Sequence, residues 1–459
     1  MSAIRIRTAG GRTRWAILVC ALLSGSVAAQ DDSSAAAAGA AADAASAPEA
    51  WAAHGQFTTQ AQWHGRFRSP YAGPQSLPSA ETARQTTDVT VFLGMRPWTG
   101  GELYLDQEVD QGHGIGQTLG LAGFSSGDAY KLGKNEPYGR TPRLFLRQVI
   151  ALGSETEQVD SAANALAGVK SADNVTLTVG KFSVPDVFDD NRFAHDPRVD
   201  FANWTVIDGG AFDYAADAWG YTVGTAAELN LGAWTGRAGL FALSSTPNAT
   251  TIDWSGRQHQ WIAELERRYV LDGQAGVVRG LLFRTDGEMA RYDQATAQEI
   301  ATGAPADLAS LRSYRHKTGV VINVEQALTP ALGAFGRWSA NDGKTETFEF
   351  TDVTRSSNVG LSLRGSAWRR PDDTLGVAAV RNSLSAAGQE FLAHGGLGLL
   401  IGDGRLPAAG AERIFEGYYS LQAWAHGWIT FDAQRFWNPA YNRQRGPLTM
   451  LGLRLHAAI

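Results

Sequence analysis

The chain has 459 residues with 40 Lys and Arg against 46 Asp and Glu, a net charge of −6 that argues against nucleic-acid binding. A single cysteine excludes an internal disulfide, and no run of 18 or more apolar residues exists to make a spanning helix. Glycine (52) and tryptophan (14) are plentiful, which fits short strands and turns better than helices.

The first residues read as an export signal. Arg5, Arg7, Arg12 and Arg14 precede an apolar run over 15–23, and Val27, Ala28 and Ala29 offer small residues for a signal peptidase. Cleavage after Ala29 is expected, giving a signal peptide over 1–29. That removes four arginines and no acid, taking the charge from −6 to −10. Cys20 follows Val19 rather than a small residue, so it fills the apolar run and leaves the mature chain without a thiol. Residues 30–53 are Ala-rich and poor in core-forming side chains, and are expected to be a flexible tail. The remainder, 54–459, reads as one barrel domain.

Within that domain apolar and polar residues alternate. Phe57, Thr59, Ala61, Trp63 and Phe67 oppose Thr58, Gln60, Gln62, His64 and Arg66. Val89, Val91, Leu93 and Met95 oppose Asp88, Thr90 and Arg96. The last segment alternates to the terminus, with Leu451, Leu453, Leu455 and Ile459 on one side and Arg454 and His456 on the other. Aromatic residues expected near strand ends, as interfacial girdles require, include Trp98, Tyr104, Trp234, Trp261 and Trp437.

Sixteen strands are predicted, roughly at 57–68, 86–97, 102–110, 142–152, 174–182, 217–229, 234–244 and 258–269, then at 276–285, 313–327, 333–341, 355–369, 375–382, 411–424, 428–436 and 448–459. Short connections fall at even-to-odd junctions and long ones at odd-to-even junctions, except the long stretch 153–173. This parity is what a transmembrane antiparallel β-barrel needs, with short periplasmic turns and long outer loops.

On that count, 183–216 is the third outer loop, expected to fold inward and narrow the barrel. It mixes Asp189, Asp190, Asp196 and Asp200 with Arg192, Arg198 and His195. Phe188, Phe193, Phe201 and Trp204 interleave with them. Guanidinium groups and the Asn191 amide donate, carboxylates accept, and aromatic faces meet the C–H surface of a sugar ring. Balanced signs suit a neutral polyhydroxylated solute. The competing reading is a loop packed by its own ion pairs. An acid–base pair such as Asp189 with Asp196, or His195 with Asp196, would serve a glycosidase. No G-x-S-x-G, H-E-x-x-H or Walker pattern accompanies it, so no enzyme, cofactor or metal site is assigned.

The stretches 179–224, containing "KFSVPDVFDDNRFAHDPRVDFANW", and 416–459, containing "EGYYSLQ" and "ITFDAQRFWNPAYNRQRGP", resemble the carbohydrate-selective porin family, OprB type. A looser resemblance runs from about His54 to the end. It implies a sixteen-stranded outer-membrane barrel for passive sugar uptake, with the charged loop 189–203, Asn203 included, at the constriction. It also puts Glu416, Asp432 and Gln434 in the lumen. Alternation adds Arg66, Asp106, Glu108, Arg147, Glu264, Arg315, Lys317 and Arg364 as lumen-lining residues. The alternative function is a general or ion-selective diffusion porin. Expected partners are small neutral carbohydrates, outer-membrane lipid and lipopolysaccharide. Porins often trimerise, so a homotrimer is a further expectation, although the sequence displays no self-association patch. Mass measurement of the exported protein should give a mature N-terminus at Gln30; retention of residues 1–29 would show an anchor instead.

Overall fold

A period of two gives each strand an apolar and a polar face, and pairing decides which way each face points. The computed structural model of the chain describes residues 48–304, 307–350 and 352–459. The expected signal peptide and residues 30–47 of the expected tail lie outside the described residues. The strands are β1 (Trp51–His64), β2 (Glu81–Trp98), β3 (Gly101–Gly112), β4 (Lys134–Ala151), β5 (Thr156–Val159) and β6 (Gly168–Ser171). Next come β7 (Asn174–Phe182), β8 (Thr222–Leu231), β9 (Trp234–Ala242), β10 (His259–Leu271), β11 (Gln274–Met289) and β12 (Ser313–Ala327). The last are β13 (Leu332–Asn341), β14 (Arg355–Gly365), β15 (Arg370–Ser383), β16 (Glu412–Trp424), β17 (Gly427–Trp437) and β18 (Leu448–Ala458).

All but β5 and β6 form one closed antiparallel barrel in chain order, with β18 returning to β1. Gly55 and Ile459 exchange backbone hydrogen bonds of 3.0 and 2.9 Å, sealing the ladder at the last residue. The sixteen-strand expectation therefore holds. The stretch 153–173, too long for a turn, contains the separate β5–β6 hairpin. Asn164 between them donates to Asp106 inside the barrel at 3.0 Å, and Leu166 is buried beside Tyr104.

Closure turns Val89, Val91, Leu93, Met95, Leu451 and Leu453 outward, each 40 % or more exposed. Their neighbours Asp88, Thr90 and Arg454 are buried on the inner face. An apolar outside and polar inside is the transmembrane arrangement. Outward tryptophans sit near both rims: Trp98, Trp234 and Trp424 beside short turns, Trp63, Trp261 and Trp338 towards the long loops. Tyr104 is the exception to the expected girdle; it faces inward, 1 % exposed, against Phe145.

Several strand ends move. β1 lies earlier than expected, so Arg66 leaves the strand for an exposed loop position. β14 stops at Gly365 in a short 3-10 turn (Ser366–Trp368) and leaves Arg364 exposed at the short-turn rim. Neither arginine lines the interior as expected. β8 starts at Thr222 rather than 217, because the Asp217 carboxylate accepts from the backbone of Trp219 and Tyr221 and Gly220 takes a φ of 96°. That local turn competes with extension.

Leu453→Arg, in the middle of β18 on the outward face, should cost about 2–4 kcal/mol in denaturant unfolding from lipid vesicles. Gln56→Arg on the inner face should cost under about 1 kcal/mol. Equal losses would mean that the two faces were assigned wrongly.

Candidate functional site

The segment 183–221 leaves β7 through a 3-10 turn (Val184–Asp186), where Ser183 and Asp186 form a capping box. Asp189 follows with a φ of 57°, a left-handed turn that aims its carboxylate at the polar faces of distant strands. It accepts from Arg337 Nε on β13 (3.2 Å), Asn323 Nδ2 on β12 (2.7 Å) and the Gly209 backbone (2.7 Å). Arg337, 3 % exposed, also donates to the carbonyls of Val206 and Ala194, both at 2.9 Å. Asn191 donates to Asn323 (2.7 Å), and the Arg192 backbone N–H to Glu325 (2.7 Å).

Further along, Glu416 on β16 accepts from the Ala202 backbone at 2.6 Å. Asn203 caps the helical turn α1 (Trp204–Ile207) through Thr205 and donates to Gln434 on β17 at 3.0 Å. Arg454 on β18 donates to the carbonyls of Pro197 and Asp200. A segment that starts at β7 is thus bonded to the polar faces of β12, β13, β16, β17 and β18. The loop 113–133 packs beside it: Glu412 accepts from Ala122 and Gly123, and Gln62 and Gln434 both donate to the Ser125 carbonyl.

Between these loops and β4 lies a cavity of about 200 Å³. Three arginines border it. Arg140 pairs with Glu108 and with Asp110, Arg143 with Asp186 (2.6 Å) and Asp106 (3.3 Å). Arg198 reaches Asp128 (3.1 Å), Asp88 (3.2 Å) and Glu108 (3.5 Å). The Tyr221 ring lies 5.1 Å from both the Arg140 and Arg143 guanidinium carbons. Trp204, Tyr214, Trp219 and Phe350 supply aromatic surface, with Trp204 stacked on Phe350 at 4.6 Å and on Phe124 at 5.2 Å. His195, Asp196 and Asp208 complete the polar border. Burial raises Asp196, but the Arg198 charge, the hydrogen bond from the Arg198 backbone N–H and the nearby His195 and His456 together hold the carboxyl below the usual range. Burial, with the Asp196 charge beside it, pushes Asp200 up to about 6.

Of the loop residues expected at a solute site, His195, Asp196, Arg198 and Trp204 border the cavity. Asp189, Asn191 and Asn203 do not: each is at most 1 % exposed and bonded inside the protein. Buried donors and acceptors committed to internal partners have no free valence for a solute. Asp200 accepts from its own loop's backbone at His195 and Asp196. Asp190 and Arg192 are exposed, Asp190 3.5 Å from Arg279 and Arg192 over the Phe193 ring at 4.5 Å. Phe193 itself covers Gly333 at the start of β13, away from the cavity border.

On the strands, Asp106, Glu108, Glu264, Lys317, Glu416, Asp432 and Gln434 are buried on the inner face. Arg147 is half-buried beside Glu102 and the Asn164 carbonyl, and Arg315 bonds Met289 O and Gln294. Sequence reading missed Arg140, Arg143, Trp219 and Tyr221. Residues three apart fall on opposite faces of a regular strand, so Arg140 and Arg143 do not read as a pair. In the barrel Arg143 opposes Asp106 and Arg140 opposes Glu108, three residues of β4 spanning two of β3. That bulge turns both arginines inward.

Residues 93–458 match the family described as carbohydrate-selective porin, OprB family. Among solved structures, the high-pH structure of Pseudomonas putida OprB is similar at 14 % identity and a TM-score of 0.68, over 89 % of this chain and 94 % of that one. Its low-pH structure gives 11 % identity and a TM-score of 0.49 over 89 % and 93 %. The outer membrane channel DcaP of Acinetobacter baumannii gives 11 % and 0.48 over 89 % and 97 %. Identities this low speak of the fold alone. No curated protein sequence matches the chain. The family match runs from β2 to the end of β18, most of the chain and nearly the whole barrel, and by it the chain belongs to the carbohydrate-selective porin family, OprB.

Proposed function

We propose that small neutral sugars pass through this barrel beside the Arg140–Arg143–Arg198 row, with Trp204, Trp219 and Tyr221 forming the apolar side of the passage. Membership makes the chain an outer-membrane porin for carbohydrates. The observation that supports this route is the cavity itself, which places guanidinium and carboxylate groups opposite aromatic rings. Paired charges offer hydroxyl groups both donors and acceptors while leaving little net field for an ion. Weak, multiple contacts allow a solute to leave as well as enter.

In this reading the third loop folds inward and sets the width, held by Asp189, Asn191 and Asn203. His195, Asp196 and Arg198 meet the solute. The protein acts as a channel rather than a catalyst, exported by cleavage after Ala29. Its apolar wall meets lipid and lipopolysaccharide, and a homotrimer is the assembly to test for.

Two variants separate passage from anchoring. Trp219→Ala should weaken sugar block of single-channel current about 3–10-fold, the value of one aromatic contact, with little change in open conductance. Current ordered by solute size alone, with no sugar block in wild type, would leave a general diffusion pore. Asp189→Ala removes one partner of a buried ion pair, at a cost of about 3–5 kcal/mol, and should free the loop. Larger, noisier conductance is expected; an unchanged channel would mean the loop does not set the width.

A further inference from the structure

The outward face of the barrel carries one feature that an apolar wall does not explain. Near the long-loop rim, Arg381 on β15 stands directly opposite Arg413 on β16, both pointing outward. Like charges directly opposite in a sheet repel. The row continues on both sides. Ser357 pairs Arg381 and Trp437 pairs Arg413, so Arg355 and Arg435, two residues away on β14 and β17, are their diagonal neighbours. Among the described residues, no carboxylate lies within salt-bridge distance of any of the four arginines.

Two grooves meet at this row, and Arg381 belongs to both. The upper one, towards the loops, is polar: Asn341, Thr354, Ser383, Ser385 and Gln389 line it, with one acid, Asp342. The lower one runs down the outer wall along Val359, Ala379, Phe415 and Trp437. Phe415 and Val359 are 46 % and 64 % exposed, as lipid-facing side chains are. The Arg413 and Arg435 guanidinium carbons lie 5.8 and 5.9 Å from the Trp437 ring centre, which holds them at the wall.

We propose that this row is a binding site for a phosphorylated glycolipid of the outer leaflet, the lipid A portion of lipopolysaccharide. The phosphate sits across Arg381 and Arg413, with Arg355 and Arg435 flanking it. The sugar headgroup lies on the polar groove above, and an acyl chain lies along the apolar groove below. Three observations select this ligand. Four guanidinium groups without a carboxylate partner, Arg435 being bonded to the Thr449 hydroxyl at 2.6 Å, call for an anion, and planar forks match phosphate oxygens. The groove changes from polar to apolar along the strand direction, as an amphiphile does. The site also faces the bilayer at the long-loop rim, where headgroups lie.

The test compares folded wild type with Arg381→Gln/Arg413→Gln, titrating bis-phosphorylated lipid A into the detergent-solubilised barrel. The wild type should bind about thirty-fold more tightly, the effect of two arginines near a charged lipid surface. Arg381→Lys/Arg413→Lys should keep most of the affinity, and Arg267→Gln, at the short-turn rim, should change nothing. Dephosphorylated lipid A should bind both proteins alike, and inorganic phosphate should not compete at equal concentration. Sugar block of current should be the same in every variant, which keeps this site separate from the passage. Equal binding of lipid A by wild type and the glutamine variant would overturn the proposal, as would competition by inorganic phosphate alone. If the double variant fails to fold, Arg413→Gln alone carries the same expectation at about five-fold.

Discussion

Every backbone N–H and C=O that crosses hydrocarbon must find a partner in the protein, because no water is there to supply one. An amphipathic sheet meets this demand only by closing, and here closure happens between the first and last strands. The β1–β18 ladder runs from Gln56↔Ala458 to His64↔Met450 and is sealed by the exchange between Gly55 and Ile459. A slip of one residue in that ladder would turn Leu451 and Leu453 inward and Arg454 out. The closed register therefore decides the two faces of the wall, and everything inside the barrel is built on the polar one.

That polar face is unevenly occupied. Against β12, β13 and β16 to β18 the inward side chains are covered by the loops and bonded to them. Asp189 with Arg337 is the most deeply buried link, each partner's side chain about 1 % exposed. Such a pair costs desolvation and recovers it only with full hydrogen bonding, which Asn323, Gly209, Val206 and Ala194 complete. On the side of β3 and β4 the arginines are less covered and border open space. Bonding of the loop to one wall thereby leaves the cavity beside the other, and its charges arrive already paired.

Much of the architecture was legible beforehand because period-two alternation and turn chemistry are local. All sixteen barrel strands were placed, and the six short turns fell at the expected junctions. Even the exception at 153–173 marked a real departure, the β5–β6 hairpin. The errors share a cause. Arg66 and Arg364 continue the alternation but lie at strand ends, Arg66 past the last residue of β1 and Arg364 at the final pairs of β14, so parity put on the inner face two side chains that the rims leave exposed. Asp189, Asn191 and Asn203 look like solute contacts because the sequence displays their polarity and conceals their partners, which lie more than a hundred residues away or across a local cap.

By itself the sequence determined the barrel, its strand number, its apolar exterior and the charged loop that distinguishes it, since all of these follow from patterns along neighbouring residues. Only the tertiary structure decided which charges bury each other and which border the cavity. The bulge that turns Arg140 and Arg143 to one side depends on how β4 registers with β3, and the Arg381–Arg413 pair exists only where β15 meets β16. Pairing across strands is a long-range event, and the energy of a charge is set by what closure brings beside it rather than by its neighbours in the chain.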